Sequence, residues 1–337
     1  MNHIIGAKSA IATPAVKWLL VDEESAGQRL DNFLMRHLKG VPKTHIYRII
    51  RSGEVRINKG RASADTRVES GDEVRLPPVR ISDKVAEKAE RPAPGREFPL
   101  LFEDESLLAI DKPAGVAVHG GSGVSFGVIE QLRQARPQAK LLELVHRLDR
   151  DTSGILLVAK KRSALRHLQD QFRERETGKT YLALVKGDWP AKLKVIDQPL
   201  LKFLLQGQDG AEGERRVRVT TPEDPDGMRS VTLVKVSKRL PGATLLEVTI
   251  KTGRTHQIRV HLASQGHPIA GDDKYGDFEW NRQLQRPGNS PGLKRMFLHA
   301  WRLQFNHPVT AERVALQTDL PPELKAIYRS QPNDCSS

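Results

Sequence analysis

The chain has 337 residues, with 54 Lys and Arg against 41 Asp and Glu, and a formal net charge of +13. That length accommodates two domains with a hydrophobic core each, or one large domain with a small appendage. No run approaches the roughly 20 apolar residues that span a bilayer, so a membrane protein is not expected. The single cysteine, Cys335, leaves no internal disulfide and no cysteine-built metal site; it fits a reducing cytosol, and a cytoplasmic location is expected.

Residues 1–16 are interrupted by Gly6, Lys8 and Pro14 and lack a basic start followed by an apolar core, which suggests a flexible arm rather than a signal peptide. A first domain is expected over residues 17–80. Leu30, Phe33, Leu34 and Leu38 recur at helical spacing, and a second short helix follows Pro42 with Ile46, Ile49 and Ile50 turned inward. Lys43, Arg48 and Arg51 form the polar side of that helix, and Gly53 ends it. Val55-Arg56-Ile57 reads as a strand, Asn58-Lys59-Gly60 as a turn, and 73–76 as a closing strand. From Arg29 to Arg80 there are twelve Lys or Arg against six Asp or Glu, a surplus of six out of the total thirteen. Charge concentrated in this way implies a polyanionic partner. The candidate phosphate contacts are Lys43, Arg48, Arg51 and Arg56.

Residues 81–97, rich in proline and charge, read as a linker. A second domain is expected over 98–325, followed by a tail over 326–337. Within it, short strands are predicted at 107–110, 155–159, 181–185, 231–236 and 245–250, with helices at 163–175 and 255–264. Strands outnumber helices and often follow one another directly. The predicted class is therefore α+β with a mainly antiparallel mixed sheet.

The common cofactor signatures are missing. There is no strand-coupled GxGxxG and no Walker lysine loop, and the glycines of 119–123 have the wrong spacing for a phosphate cradle. His256 and His261 are five apart and do not share a helix face as a metal pair would. Neither metal nor cofactor is expected. What remains is His146-Arg147-Leu148-Asp149-Arg150-Asp151-Thr152-Ser153-Gly154, a dense polar run that leads straight into the apolar strand Ile155–Ala159. Loops feeding a central strand bring their side chains to the edge of the core, where sites lie. The same run also suits a turn in which Asp and Ser cap backbone groups.

That run resembles the signature of the pseudouridine synthases of the ribosomal-large-subunit type A pattern. Asp111-Lys112-Pro113-Ala114-Gly115, Lys179-Thr180-Tyr181 and residues 251–261, which include Gly253-Arg254-Thr255-His256-Gln257, match the same family in order, as do Gly266-His267-Pro268-Ile269 and Gly271-Asp272. Residues 29–34, 46–50 and 53–58 are similar to the small alpha-L RNA-binding domain carried by many RNA-modifying enzymes. The resemblance implies an RNA pseudouridine synthase acting on 23S ribosomal RNA. Transfer RNA as the substrate, or a non-catalytic role in ribosome assembly, are the alternatives. The isomerisation moves the glycosidic bond from a ring nitrogen to a ring carbon with no net change of atoms, so it needs no redox cofactor or group donor. By resemblance Asp149 is the catalytic carboxylate, Arg254 its ionic partner, Tyr181 the ring against the target uracil, and Arg147 the group that enters where the base was. Ile258 helps to wall the pocket. No protein partner is indicated, and a monomer is expected.

Overall fold

The computed structural model describes residues 16–23, 25–38, 41–79, 93–120, 126–205, 214–286 and 292–329. The expected arm and tail therefore lie largely outside the described residues, as do residues 81–92 of the expected linker. The chain divides into two compact units, residues 1–92 and 93–337.

The first unit is built from β1 (Lys17–Leu20), α1 (Leu30–His37), α2 (Lys43–Arg51), β2 (Arg56–Ile57), β3 (Gly60–Arg61) and β4 (Glu73–Leu76). Its sheet has the order β1-β4-β2-β3. Leu30, Phe33 and Leu34 of α1 meet Ile46, Ile49 and Ile50 of α2 over Val74 and Leu76, which are all buried. Apolar residues at these intervals can only be covered if both helices lie on one sheet face. Gly53 takes a left-handed conformation beyond α2, and Asn58 and Lys59 are left-handed in the β2–β3 turn. The pairing of β1 with β4 was not anticipated, because Lys17-Trp18-Leu19-Leu20 has no alternating pattern.

Among the described residues the second unit contains one ten-stranded sheet and a separate hairpin. Its strands are β5 (Leu100–Glu103), β6 (Leu107–Lys112), β7 (Glu143–Leu144), β8 (Ser153–Ala159), β9 (Gly178–Lys186), β10 (Val195–Asp197), β11 (Leu200–Leu205), β12 (Glu214–Val219), β13 (Val231–Leu240), β14 (Ala243–Ile250), β15 (Leu298–Asn306) and β16 (Arg313–Gln317). The main sheet runs β10-β13-β14-β9-β15-β8-β6-β5; β16 flanks β15, β7 flanks β8, and β11 and β12 form the hairpin. Every pairing in it is antiparallel except the central one, between β15 and β8. The mainly antiparallel α+β expectation is met.

At the parallel junction Gly154 has φ +111°, and a Cβ there would sit 2.3 Å from the carbonyl oxygen of Ala300. Only glycine allows the two strands to meet at that point.

Among the described residues five helices accompany these strands: α3 (Val128–Ala135), α4 (Arg162–Glu174), α5 (Gln257–Ser264), α6 (Phe278–Gln285) and α7 (Pro322–Arg329). Two boundaries differ from expectation. Residues 93–97 belong to the second unit, because Phe98 is buried and Arg136 holds Glu97 at 2.8 Å. At the other end α7 runs past 325, anchored by buried Leu324 and Ile327.

Candidate active site

The polar run of residues 146–154 is held from beneath. Lys112, fully buried at the end of β6, donates from Nζ to the carbonyls of Pro113 (2.9 Å), Val116 (2.7 Å) and Arg150 (3.0 Å). Burial pulls its pKa down to about 7, while three carbonyl acceptors around one nitrogen favour the ammonium form. The backbone N–H of Gly115 also donates to the Arg150 carbonyl, so the Asp111–Gly115 motif clasps the loop carrying Asp149. His146 stacks on Phe172 with centroids 4.8 Å apart, and its Nε2 accepts the Leu157 N–H at 3.1 Å. Burial lowers His146 to about 3, with nearby Lys179 adding to the effect, so the ring is neutral and structural.

The loop delivers Asp149 to a small pocket of about 90 Å³ lined by Arg147, Tyr181, Arg254, Ile258 and Arg259 among others. All five residues expected at the catalytic site therefore come together there. Tyr181 comes from the middle of β9, between β14 and β15. It is buried, and its hydroxyl has no hydrogen-bond partner among the described residues. Desolvation, and secondly the charge of Asp149, hold that hydroxyl protonated well above the ordinary tyrosine range. Arg147 is exposed at the pocket and has no ion-pair partner among the described residues.

One expected pairing is corrected. The ionic partner of Asp149 is Arg259, whose Nη1 donates to Oδ2 at 3.3 Å. Arg254 instead turns its Nε toward the Arg229 carbonyl at 3.4 Å. The cause is the turn between them. His256 adopts a left-handed conformation (φ 52°) just before α5, and Gln257 fixes the preceding loop. Gln257 Oε1 accepts from Thr252 Oγ1 (2.7 Å) and the Arg254 N–H (3.1 Å), while its Nε2 donates to the Val231 carbonyl (3.0 Å). That turn sends Arg259, on α5, to the carboxylate.

Arg259 is almost wholly buried and forked. Nε and Nη2 donate to the two oxygens of Asp272 at 2.7 Å each, Nη2 also reaches Asp273 at 3.2 Å, and the guanidinium lies over the Tyr275 ring at 5.2 Å. Asp272 receives two further backbone N–H groups, from Lys274 (2.8 Å) and Tyr275 (3.0 Å). Although burial opposes it, these bonds hold the Asp272 carboxyl below its usual range. His256 completes the ring around Asp149: its Nδ1 is 2.9 Å from the Tyr275 hydroxyl and its Nε2 is 3.9 Å from Asp149 Oδ2. Burial lowers the His256 pKa, with Asp149 opposing, so the imidazole is neutral at pH 7. Sequence reasoning singled out neither Arg259 nor Asp272, although both stand inside the matched motifs.

The candidate phosphate contacts belong to the first unit. Lys43 and Arg51 are exposed without ion-pair partners among the described residues, and Arg48 faces Glu54 at 4.0 Å. Arg56 is committed locally, donating to the carbonyls of Gly53 (3.3 Å) and Lys59 (3.2 Å).

The site thus sets a carboxylate fixed by a buried arginine beside a buried tyrosine on a mixed sheet. The RNA pseudouridylate synthase family matches residues 106–264, and the S4 domain matches residues 28–74. The chain belongs to the RNA pseudouridylate synthase family and is an RNA pseudouridine synthase with an N-terminal S4 domain. It is 53% identical to ribosomal large subunit pseudouridine synthase C of Escherichia coli (strain K12), over 95% of this chain and 98% of that protein. The Haemophilus influenzae protein of the same name is 50% identical, over 95% and 96%. Human RNA pseudouridylate synthase domain containing 4 superposes with a TM-score of 0.55 at 26% identity, covering 69% of this chain and 92% of that one.

Proposed function

We propose that this enzyme converts uridines of 23S ribosomal RNA to pseudouridine, as a cytoplasmic monomer, with Asp149 as the catalytic carboxylate. One observation carries the assignment to Asp149. Its Oδ2 is held by Arg259 while Oδ1 has no partner among the described residues, in a pocket that also presents Tyr181 and Arg147. A carboxylate oriented through one oxygen keeps the other available for the reacting nucleoside.

The N1–C1′ bond breaks, the base turns while Asp149 deals with the sugar or the base, and the C5–C1′ bond forms; the C5 hydrogen leaves as a proton and N1 gains one. Tyr181 supplies the ring against which the uracil turns. Burial keeps its hydroxyl protonated, so it can donate a hydrogen bond to the bound nucleotide. A target within a helix has to be extruded, at a cost of a few kcal/mol, and the exposed guanidinium of Arg147 can stack and hydrogen-bond in the vacated space. The basic first unit supplies contacts that position RNA without reading bases. The names of the bacterial relatives favour the ribosomal large subunit over transfer RNA.

The test is tritium release from transcripts carrying [5-³H]uridine. Wild type should release tritium from large-subunit ribosomal RNA, and Asp149→Asn should lose at least about a hundredfold in single-turnover rate while binding RNA within a few fold. Release from transfer RNA alone would move the substrate. A variant that keeps more than about a percent of the rate would move the catalytic role.

A further inference from the structure

Beside the catalytic pocket lies a second groove of about 360 Å³, lined by Phe172, Arg173, Arg175, Lys179, Thr252, Gly253 and Arg254. Arg254 and Gly253 line both cavities, so the two adjoin. The cations are not equivalent. Arg173 is paired with Asp170. Arg175, Lys179 and Arg254 have no anionic partner among the described residues.

Lys179 is the informative one. It is only 8% exposed, it lines the groove, and its ammonium has no hydrogen-bond acceptor among the described residues. Its ammonium lies over the face of Phe172, 5.0 Å from the ring centroid. A buried cation without a counter-charge is costly, and a cation–π contact offsets only part of that. Burial accordingly lowers the Lys179 pKa. Lys112, by contrast, is fully buried and donates hydrogen bonds to three carbonyls. A lysine left bare at a groove is satisfied by an anion that arrives from outside.

Position identifies the anion. Lys179 and Tyr181 are two residues apart on β9, so their side chains share one face of the strand about 7 Å apart. A nucleotide whose base lies on Tyr181 must lead its backbone out of a small pocket, and Arg254 stands at the exit. We infer that the groove of Arg175, Lys179 and Arg254 is a phosphate subsite that holds the RNA backbone next to the target uridine. The inference rests on the functional reading above and extends it: the front unit adds contacts that position RNA, whereas this groove fixes the backbone at the nucleotide that reacts.

The test uses the full chain with Asp149→Asn, so that bound RNA stays unmodified. Binding of a large-subunit ribosomal RNA transcript is measured across a salt series for this protein and after adding Lys179→Met or, separately, Arg175→Gln. Each addition should weaken binding roughly tenfold, the effect of one lost charge-assisted contact. Each should also make the slope of log affinity against log salt shallower by about 0.7 to 0.9. Lys179→Met should melt no lower than its parent, because it removes an uncompensated buried charge; Arg175→Gln, at an exposed position, reads the groove independently should that core substitution misfold. Unchanged slopes with affinities within twofold for both variants would overturn the subsite. So would a slope unchanged while millimolar inorganic phosphate raises the melting temperature of the parent but not of Lys179→Met, since the groove would then take the free ion and not the chain. Tritium release by wild type reads the functional assignment separately. If that fails on this transcript while the slopes still differ, the subsite stands and the substrate is another RNA.

Discussion

The two units use positive charge in opposite ways. In the first, Lys43 and Arg51 stand in solvent, without ion-pair partners among the described residues, on a helix whose buried face is entirely aliphatic. In the second, Arg259 is buried and tied to three carboxylates at once, those of Asp149, Asp272 and Asp273. Exposed charges act additively, are screened by salt and can be exchanged for one another. A buried guanidinium in a fork has one geometry, and its value depends on every neighbour staying in place. Affinity is distributed over a surface, whereas orientation is concentrated in one residue.

The largest effect that would break this contrast is expected at Arg259. Arg259→Met leaves Asp272 buried without its partner and should destabilise the second unit by about 3–5 kcal/mol, with activity lost alongside. Denaturant unfolding measures it; a loss under 1 kcal/mol would show the fork to be dispensable.

Deleting residues 1–92 comes next. Each unit has its own hydrophobic clusters, so the remainder should fold and turn over saturating short RNA within a few fold of wild type. Its salt slope for ribosomal RNA should fall by about one unit for each phosphate contact removed. Identical slopes would make the basic unit a protein-docking surface.

The next effect appears in acid. Burial holds His146 at about 3 and His299 at about 4 in the folded chain, against about 6.5 when unfolded. Below pH 6.5 the unfolded chain takes protons that the folded chain refuses. Stability should therefore fall as the pH drops from 6.5 toward 4, by up to about 1.4 kcal/mol per pH unit for each histidine. In His146→Phe the dependence on pH should be shallower across that window, whatever the variant's absolute stability. An unchanged slope would mean that His146 titrates normally.

Much of this was readable in the chain itself. The helices of the first unit follow from aliphatic spacing, and the strand that follows the Asp149 loop and the strand carrying Tyr181 follow from apolar runs at 155–159 and 181–185. Motif order, rather than periodicity, assembled the pocket residues. What escaped was decided by single backbone conformations. Two arginines five residues apart stand in one motif, and the left-handed turn at His256 decides which of them meets Asp149. The helix Val128–Ala135 was legible in hindsight from buried Val128, Ile129 and Leu132 behind a glycine and Glu130, but the neighbouring glycines read as loop.

Ala300 pairs across one edge of β15 with Tyr181 and across the other with Gly154. Two strand spacings, about 9.5 Å, thus separate the backbone of the tyrosine from the glycine that closes the aspartate's loop. The aperture offered to a nucleobase is set by the weave of three strands, as the jaws of a caliper are set by its beam. A single methyl group at position 154, pressed against the Ala300 carbonyl, would open that caliper without touching any residue of the chemistry.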